Sequence, residues 1–168
     1  DLWVINALAN PRPTLETYRY AMPGEENQPQ PELLVFDLET KAVVKVKADA
    51  FKDQTISVST APRTNRDSLR EPPLPPTWLS DTSDKLYFGR QSRDLHRYDF
   101  CLADTKTGEV KILVHEVLNT YVEVQPVRLI KGGQEFVWWS ERDGWGHYYL
   151  YSGDGKLKNQ ITAGEFVT

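Results

Sequence analysis

Sulfur is scarce in this sequence, and long apolar runs are absent. Cys101 is the single cysteine among 168 residues, so the chain can form neither an internal disulfide nor a paired-cysteine metal knuckle. We expect it to be a small buried apolar residue between Phe100 and Leu102 rather than a reactive thiol. No apolar run approaches the ~20 residues of a membrane-spanning helix, and no basic-then-apolar signal segment opens the chain.

The chain also carries little net charge. Its formal net charge is −4 at pH 7, and its lysines and arginines are scattered rather than gathered on one stripe. Binding to a polyanion therefore has no electrostatic support, and no nucleic acid partner is expected. With 39% hydrophobic and 26% charged residues, the composition is that of a globular chain. Because the sequence opens on Asp1 rather than on Met, we expect both ends to be cuts within a longer protein.

The motifs of the common enzyme classes are missing. No G-x-S-x-G nucleophile elbow, Walker loop or dinucleotide fingerprint occurs, and His96, His115 and His147 lack the i, i+4 spacing of a zinc-binding helix. Asp37 and Asp104 could suggest a pair of catalytic carboxylates, but their turn contexts explain them better. The sequence therefore predicts no catalytic residue, no metal ligand and no cofactor in this chain.

The sequence does contain a series of short strand signals. Residues 127–161 read as four strands joined by glycine-containing turns. Residues 77–116 repeat the same order about 50 residues earlier, which is the length of a propeller blade. A weaker relative of the pattern occupies residues 32–47. We predict an all-β fold, a partial β-propeller of about three blades built from four-stranded antiparallel meanders, with approximate blades at 1–60, 77–116 and 127–161.

Two aromatic strands favour a propeller over other β folds. Residues 136–139 and 148–151 are apolar at consecutive rather than alternate positions, as expected for a sheet that is buried on both faces. In the rival fold, a two-sheet sandwich, each sheet presents one solvated face. We therefore expect Trp138 or Trp139 to be buried between adjacent sheets. With Trp145 they could instead form a sugar-stacking platform, but a continuous apolar strand favours core positions for all three.

Two stretches interrupt the strand pattern. Residues 9–31 and 61–77 are rich in proline and polar residues and are predicted to be loops or linkers. The charged segment Ser140–Trp145 could form a recognition patch, but a turn held by local ion pairs beside an aromatic residue is the simpler interpretation.

Residues 138–168, WWSERDGWGHYYLYSGDGKLKNQITAGEFVT, strongly resemble a propeller blade of the dipeptidyl peptidase IV family. The shared features are a Ser-Glu-Arg-Asp-Gly segment, an aromatic, a histidine, an aromatic-Leu-Tyr strand, a Gly-Lys-Leu turn and a Thr-x-Gly-Glu ending. Upstream, NPRPTLETYRYAMPGE at residues 10–25 is similar to a segment common in bacterial members. The resemblance covers essentially the whole chain.

The resemblance implies a role for the chain. In that family an N-terminal propeller sits over a C-terminal α/β-hydrolase domain that carries a Ser, Asp, His triad, and that domain is absent here. The expected function is that of a non-catalytic propeller segment of a serine exopeptidase, which shapes the channel and gates and positions peptide substrates. The alternative is a non-enzymatic propeller module that binds a glycan or a protein partner.

The resemblance also implies partners and a location. The partners are the α/β-hydrolase domain and the remaining blades of the parent protein, and its peptide substrates, and the parent is expected to form a homodimer outside the cytoplasm. The family's paired glutamates, which bind the free amino end of the substrate, are expected N-terminal to Asp1, because Glu25-Glu26 lies in a different, loop-like context.

One loop is expected to face the substrate. By resemblance, a propeller loop just before an innermost strand reaches toward the substrate cleft, and by position this loop is Asn119–Glu123. Tyr121 and Glu123 are therefore predicted to bind substrate, the phenol by stacking or hydrogen bonding and the carboxylate by pairing with a cationic group. An ordinary blade connector is the competing interpretation.

Overall fold

Every regular element that the structure describes is a β-strand. The computed structural model describes residues 1–19, 22, 24–26, 28–61, 77–80 and 82–168. The strands are β1 (Leu2–Asn6), β2 (Thr14–Tyr18), β3 (Leu34–Phe36), β4 (Val43–Lys45), β5 (Thr55–Val58), β6 (Lys85–Gln91), β7 (Arg97–Asp104), β8 (Val110–Val117), β9 (Arg128–Ile130), β10 (Glu135–Ser140), β11 (His147–Ser152) and β12 (Leu157–Gln160). The described strands form four antiparallel sheets, two of two strands and two of four strands. The predicted all-β class is confirmed.

Contacts divide the chain into two compact units, Asp1–Gln30 and Pro31–Thr168. The first unit contains the β1–β2 hairpin, and its apolar side chains are largely exposed, including Trp3 at 65% and Ile5 at 68%. Strand β2 corrects the prediction that 9–31 is all loop, because its five residues pair with β1 despite their polar composition.

The second unit begins with the β3–β4 hairpin, which confirms the strand pair predicted within 32–47. Its turn is capped by Asp37, whose Oδ1 accepts hydrogen bonds from the backbone N–H groups of Glu39 and Thr40 at 2.9 and 2.8 Å. In the β7–β8 turn, Asp104 accepts from two backbone N–H groups in the same way, both at 2.9 Å. These bonds lower the pKa of both carboxyl groups. Both aspartates are turn residues, as predicted.

The first four-stranded sheet has the order β5-β6-β7-β8, which corrects the predicted boundaries of its blade. The sequence pattern places four strands within 77–116, whereas the first strand, β5, precedes the proline-rich stretch. Residues 77–80 do not join the sheet because their backbone bonds the chain before that stretch, with Leu79 N donating to Ser59 O at 3.0 Å. Most of the linker predicted at 61–77 lies outside the described residues.

The span 1–60 does not form a four-stranded blade of its own. Its strands are divided between the β1–β2 hairpin, the β3–β4 hairpin and β5, which belongs to the following sheet. Strand β5 does not belong to the blade predicted at 1–60, because it pairs with β6 along its whole length. Ile56, for example, lies opposite Arg90.

The second four-stranded sheet has the order β9-β10-β11-β12 and confirms the meander predicted at 127–161. Its centre is an aromatic hairpin in which Phe136 lies opposite Tyr151 and Trp138 opposite Tyr149. The β11–β12 pairing contains an irregularity after Leu150.

The largest core cluster joins the two four-stranded sheets. The ring centroid of Phe100 lies 5.5 Å from those of Phe136 and Trp138. Trp138 is 1% exposed and Trp139 is 5% exposed, which confirms the expected burial of a tryptophan between sheets. Trp145 is 42% exposed, which corrects its assignment to the core. It lies in the β10–β11 turn and not in the apolar strand.

A smaller core cluster contains Val46, Phe88 and Cys101. Cys101 is completely buried, and burial raises the pKa of its thiol to about 12. The side chain is a small core residue, as predicted.

Gly89 interrupts β6 between two larger residues. A β-carbon at this position would lie 1.7 Å from Tyr98 Oη, because the Tyr98 ring crosses the β6 backbone there. Tyr98 also packs against Trp138, with ring centroids 5.9 Å apart. Glycine in this strand therefore makes room for a ring from the neighbouring strand.

Candidate functional site

Residues 118–127 connect β8 of the first four-stranded sheet to β9 of the second, and they include the loop predicted to face the substrate. The segment has no regular secondary structure, but its middle is fixed. Val122 N donates to Leu95 O at 2.9 Å, and Gln91 Nε2 donates to Val122 O at 3.1 Å. Val122 is 2% exposed. The segment is thus anchored to the β6–β7 turn at one buried residue.

Tyr121 and Glu123 flank this anchor. Tyr121 is 55% exposed and Glu123 is also exposed, because in an extended chain the neighbours of a buried residue project away from it. Glu123 Oε1 accepts a hydrogen bond from Gln125 Nε2 at 2.6 Å. The Tyr121 phenol and the Glu123 carboxylate are therefore both exposed, one on each side of Val122. Their role in substrate binding stays a prediction.

Glu116 couples the two sheets just before this segment. It is 5% exposed, and its Oε1 accepts hydrogen bonds from Trp138 Nε1 at 3.0 Å and from the Arg142 guanidinium. Burial works against the Arg142 cation, but the Glu116 carboxylate and the Tyr151 hydroxyl favour it, so the pKa of Arg142 is raised. Trp138 and Arg142 both belong to the second sheet and its turn, so Glu116 joins the end of β8 to the next blade.

This ion pair corrects the interpretation of the turn Ser140–Trp145. The sequence predicts local ion pairs, whereas the ionic partner of Arg142 is Glu116, 26 residues away on the other sheet. Within its own sheet Arg142 donates from Nε to Ser140 Oγ at 3.0 Å and from a terminal nitrogen to Tyr151 Oη at 2.7 Å. The Arg142 side chain therefore makes one ionic contact with the other sheet and two hydrogen bonds to neutral groups of its own sheet.

A second ion pair, with both partners buried, lies in the first sheet. Arg90 Nε donates to Asp99 Oδ2 at 2.7 Å, and the same guanidinium donates to Ala48 O at 3.0 Å. Arg90 and Asp99 are 6% and 1% exposed. The half-exposed His115 approaches the other carboxylate oxygen, with Nδ1 2.5 Å from Asp99 Oδ1. Both oxygens of Asp99 are therefore occupied by structural contacts.

The other two histidines have different surroundings. His96 is exposed in the β6–β7 turn. His147 is completely buried, its Nε2 lies 2.8 Å from Gly164 O, and its Nδ1 lies 3.2 Å from Thr162 Oγ1. Because a carbonyl only accepts hydrogen bonds, Nε2 carries the proton, and the Thr162 hydroxyl can donate to Nδ1. His147 is thus a buried, fully hydrogen-bonded residue that holds the C-terminal segment.

Neither a clustered metal site nor a membrane-spanning helix occurs among the described residues. They contain no group of three His, Cys, Asp or Glu side chains arranged to hold a metal ion. Among the same residues, no helix has the length and apolar character to cross a membrane.

Antiparallel meanders packed face to face around an aromatic interior define a partial β-propeller. The fold is similar to the crystal structure of Porphyromonas gingivalis dipeptidyl peptidase 4, with a TM-score of 0.74 and 20% sequence identity over 97% of this chain. The match covers 21% of that chain. The family described as the dipeptidyl peptidase IV (DPP IV) N-terminal region matches residues 4–168. The chain belongs to this family, which confirms the resemblance and the partial propeller.

The contacts that hold this loop in place could not be predicted from the sequence. Tyr121 and Glu123 lie in the segment predicted for them, whereas the roles of Val122 and Gln91 depend on contacts between distant parts of the chain. Glu116 has no signal of its own in the sequence, because β8 also contains the polar residues Lys111 and His115.

Proposed function

We propose that this chain is a non-catalytic segment of the β-propeller of a dipeptidyl peptidase IV-like serine exopeptidase. In this role it shapes the channel and gates and positions peptide substrates while a separate α/β-hydrolase domain cleaves them. Membership of the DPP IV N-terminal family supports a peptidase parent. The observation that carries the positioning role is the exposed pair Tyr121 and Glu123 on either side of the buried Val122.

The anchored segment suits a binding role. Two hydrogen bonds and a buried side chain fix its backbone, so little ordering is required when a peptide arrives. Loops on a rigid scaffold commonly carry function. The Glu123 carboxylate pairs with a cationic substrate group, and the Tyr121 ring stacks on the peptide or hydrogen-bonds to it. Neither group takes part in bond cleavage, so their loss affects binding more than the chemical step.

Kinetics of the full-length enzyme test this proposal. Tyr121→Ala and Glu123→Gln are expected to raise KM for extended peptides, with smaller effects on a chromogenic dipeptide substrate, because a dipeptide does not reach the segment. Lys106→Ala is the matched control, since Lys106 is exposed in the turn at the opposite end of β7. Unchanged KM and kcat on every substrate, with the fold intact, would show the segment to be an ordinary blade connector.

The proposal extends to partners and location. The chain packs against the remaining blades and the hydrolase domain of the same protein, and the enzyme works as a homodimer outside the cytoplasm. Cell fractionation and sedimentation of the full-length protein test the last two points. A monomer found in the cytoplasm would contradict both.

The alternative, a propeller module that binds a glycan or a protein, has less support. Trp138 and Trp139 are core residues, so of the three tryptophans considered for a sugar platform only Trp145 is exposed. Glycan binding by the full-length protein that is lost in the Trp145→Ala variant would favour this alternative.

A further inference from the structure

The β6–β7 turn, residues 92–96, contains a leucine in a conformation that leucine rarely adopts. Leu95 has a φ of 63°, in the left-handed region that is uncommon for residues other than glycine, asparagine and aspartate. Its side chain is 38% exposed and belongs to neither core cluster, so the conformation does not serve to bury it. Backbone strain of this kind persists only where surrounding contacts hold it, and it is frequent at ligand-binding sites.

Hydrogen bonds within the turn hold Leu95 in this conformation. Leu95 N donates to Ser92 O at 2.9 Å, and Ser92 N donates to Arg97 O at 3.0 Å. Ser92 is 2% exposed, and its hydroxyl accepts from Arg97 N at 3.0 Å and donates to Asp94 Oδ1 at 2.5 Å. Asp94 Oδ1 also accepts from His96 N at 3.2 Å. The turn is therefore an internally bonded unit.

Two consecutive carbonyls of this turn bind the segment that follows β8. Leu118 N donates to His96 O at 3.0 Å, and Val122 N donates to Leu95 O at 2.9 Å. The two acceptors are neighbours in the chain, whereas the two donors are four residues apart. Because four residues of extended chain would span about 13 Å, residues 119–121 loop outward between the two bonds, and all three are exposed. The turn thus fixes both ends of a short exposed loop.

Gln91 bonds the other side of Val122. It is the last residue of β6 and is half-buried, and its Nε2 donates to Val122 O at 3.1 Å. Both the N–H and the C=O of Val122 are therefore bonded to one short stretch of chain, residues 91–95. Since peptide units are planar, fixing these two groups fixes the backbone from which Tyr121 and Glu123 project.

We propose that Gln91 and the left-handed Leu95 are positioning residues for peptide binding. This inference rests on the proposed substrate role of Tyr121 and Glu123, and it adds two residues that act through Val122 without contacting the peptide. They hold the Tyr121 and Glu123 side chains in the binding geometry before a peptide arrives. Without them the segment is ordered only on binding, which weakens binding and leaves the chemical step unaffected.

Kinetics of the full-length enzyme test the role of Gln91. Gln91→Met keeps a side chain of similar length and removes the donor. It should raise KM for extended peptides about three- to tenfold, the effect of one lost hydrogen bond, with kcat unchanged and a smaller effect on the dipeptide substrate. In a Tyr121→Ala, Glu123→Gln background the same change should have no further effect on KM. Gln160→Met is the matched control, because Gln160 Nε2 donates at 2.7 Å to Asp143 Oδ2 in the second four-stranded sheet and its turn.

Two substitutions at Leu95 separate the backbone conformation from the side chain. Leu95→Gly keeps the left-handed backbone at no steric cost, whereas Leu95→Val disfavours it because valine is β-branched. Leu95→Val should raise KM for extended peptides and accelerate hydrogen exchange at the Val122 amide, with exchange in β10 unchanged, and Leu95→Gly should do both far less. Equal effects of the two substitutions would show that the side chain matters rather than the backbone, and would overturn the role given to the turn.

The kinetic outcomes distinguish this inference from the proposed function. Unchanged KM in Gln91→Met, together with a raised KM in Tyr121→Ala, would overturn the positioning role and leave the proposed function standing. An equal rise of KM whether or not Tyr121 and Glu123 are present would show that Gln91 acts independently of them, which also overturns it. Unchanged KM in both Tyr121→Ala and Glu123→Gln would overturn the proposed function, and the positioning role would fall with it.

Discussion

Each of the two four-stranded sheets has an arginine in an ion pair, but the two pairs join different parts of the molecule. In the first sheet Arg90 and its partner Asp99 lie directly opposite each other on adjacent strands. In the second, Arg142 lies in the β10–β11 turn and its partner Glu116 lies on the other sheet. The first ion pair therefore stabilises a hairpin within one blade, and the second stabilises the junction between two blades. Because the two ion pairs belong to different parts of the structure, we expect a blade and its junction to open separately.

The largest loss of stability is expected at Trp138, which belongs both to the core and to the junction between the two sheets. Trp138→Ala should lower the free energy of unfolding by about 3 to 5 kcal/mol, the usual range for a large core aromatic, because it removes the ring from Phe100 and the N–H donor from Glu116. Denaturant titration followed by the remaining tryptophan fluorescence measures this. Trp145→Ala is the control and should change stability by less than about 0.5 kcal/mol. Similar losses for both variants would contradict the assigned core.

A smaller loss of stability is expected when either ion pair is broken, and the two variants should show whether the blade and the junction open separately. Asp99→Asn leaves Arg90 buried without its carboxylate and should cost about 3 kcal/mol, opening the β6–β7 hairpin. Labelling of Cys101 with a thiol reagent at pH 8 measures that opening, because the native thiol is buried and its pKa is about 12. Arg142→Met should cost about 2 kcal/mol and accelerate labelling much less. Equal acceleration by both variants would show that the two ion pairs stabilise one unit.

The smallest effect concerns pH and the turn of the first sheet. The folded-state pKa of Asp104 is lowered, first by the hydrogen bond from Thr107 N, so the carboxylate stabilises the fold above its unfolded pKa of about 3.9. That contribution is lost as pH falls through the folded-state pKa. Asp104→Asn should therefore flatten the acid side of the stability profile, whereas Glu39→Gln, in the β3–β4 turn, should not. Identical profiles for wild type and Asp104→Asn would contradict the turn assignment.

Local chemistry in this chain was predictable and long-range pairing was not. Asp37 and Asp104 cap their turns by bonding backbone groups two and three residues on, which is information a short window of sequence contains. The place of β5 was missed because its partner strand lies beyond the proline-rich stretch. A continuous apolar strand predicts a core position for Trp145 as well as for Trp138 and Trp139, but Trp145 lies in the β10–β11 turn and is exposed.

In the candidate site, too, the contacts between distant parts of the chain could not be predicted. The segment around Tyr121 and Glu123 was located by family resemblance. Its anchor, Val122, bonds a turn far back in the sequence, and the Glu116–Arg142 pair crosses between sheets. Such contacts depend on how two blades face each other, which periodicity within one blade does not determine.

The contact between Gly89 and Tyr98 has a consequence for how this blade can vary. Since a β-carbon at position 89 would lie 1.7 Å from the phenol oxygen, the two positions share one volume that only one side chain can fill. Related sequences should therefore vary at them together, with any larger residue at 89 accompanied by a smaller one at 98. Because Tyr98 also packs against Trp138, such an exchange would remove part of the contact of the Trp138 ring, and the covariation should extend across the junction as a set of three positions.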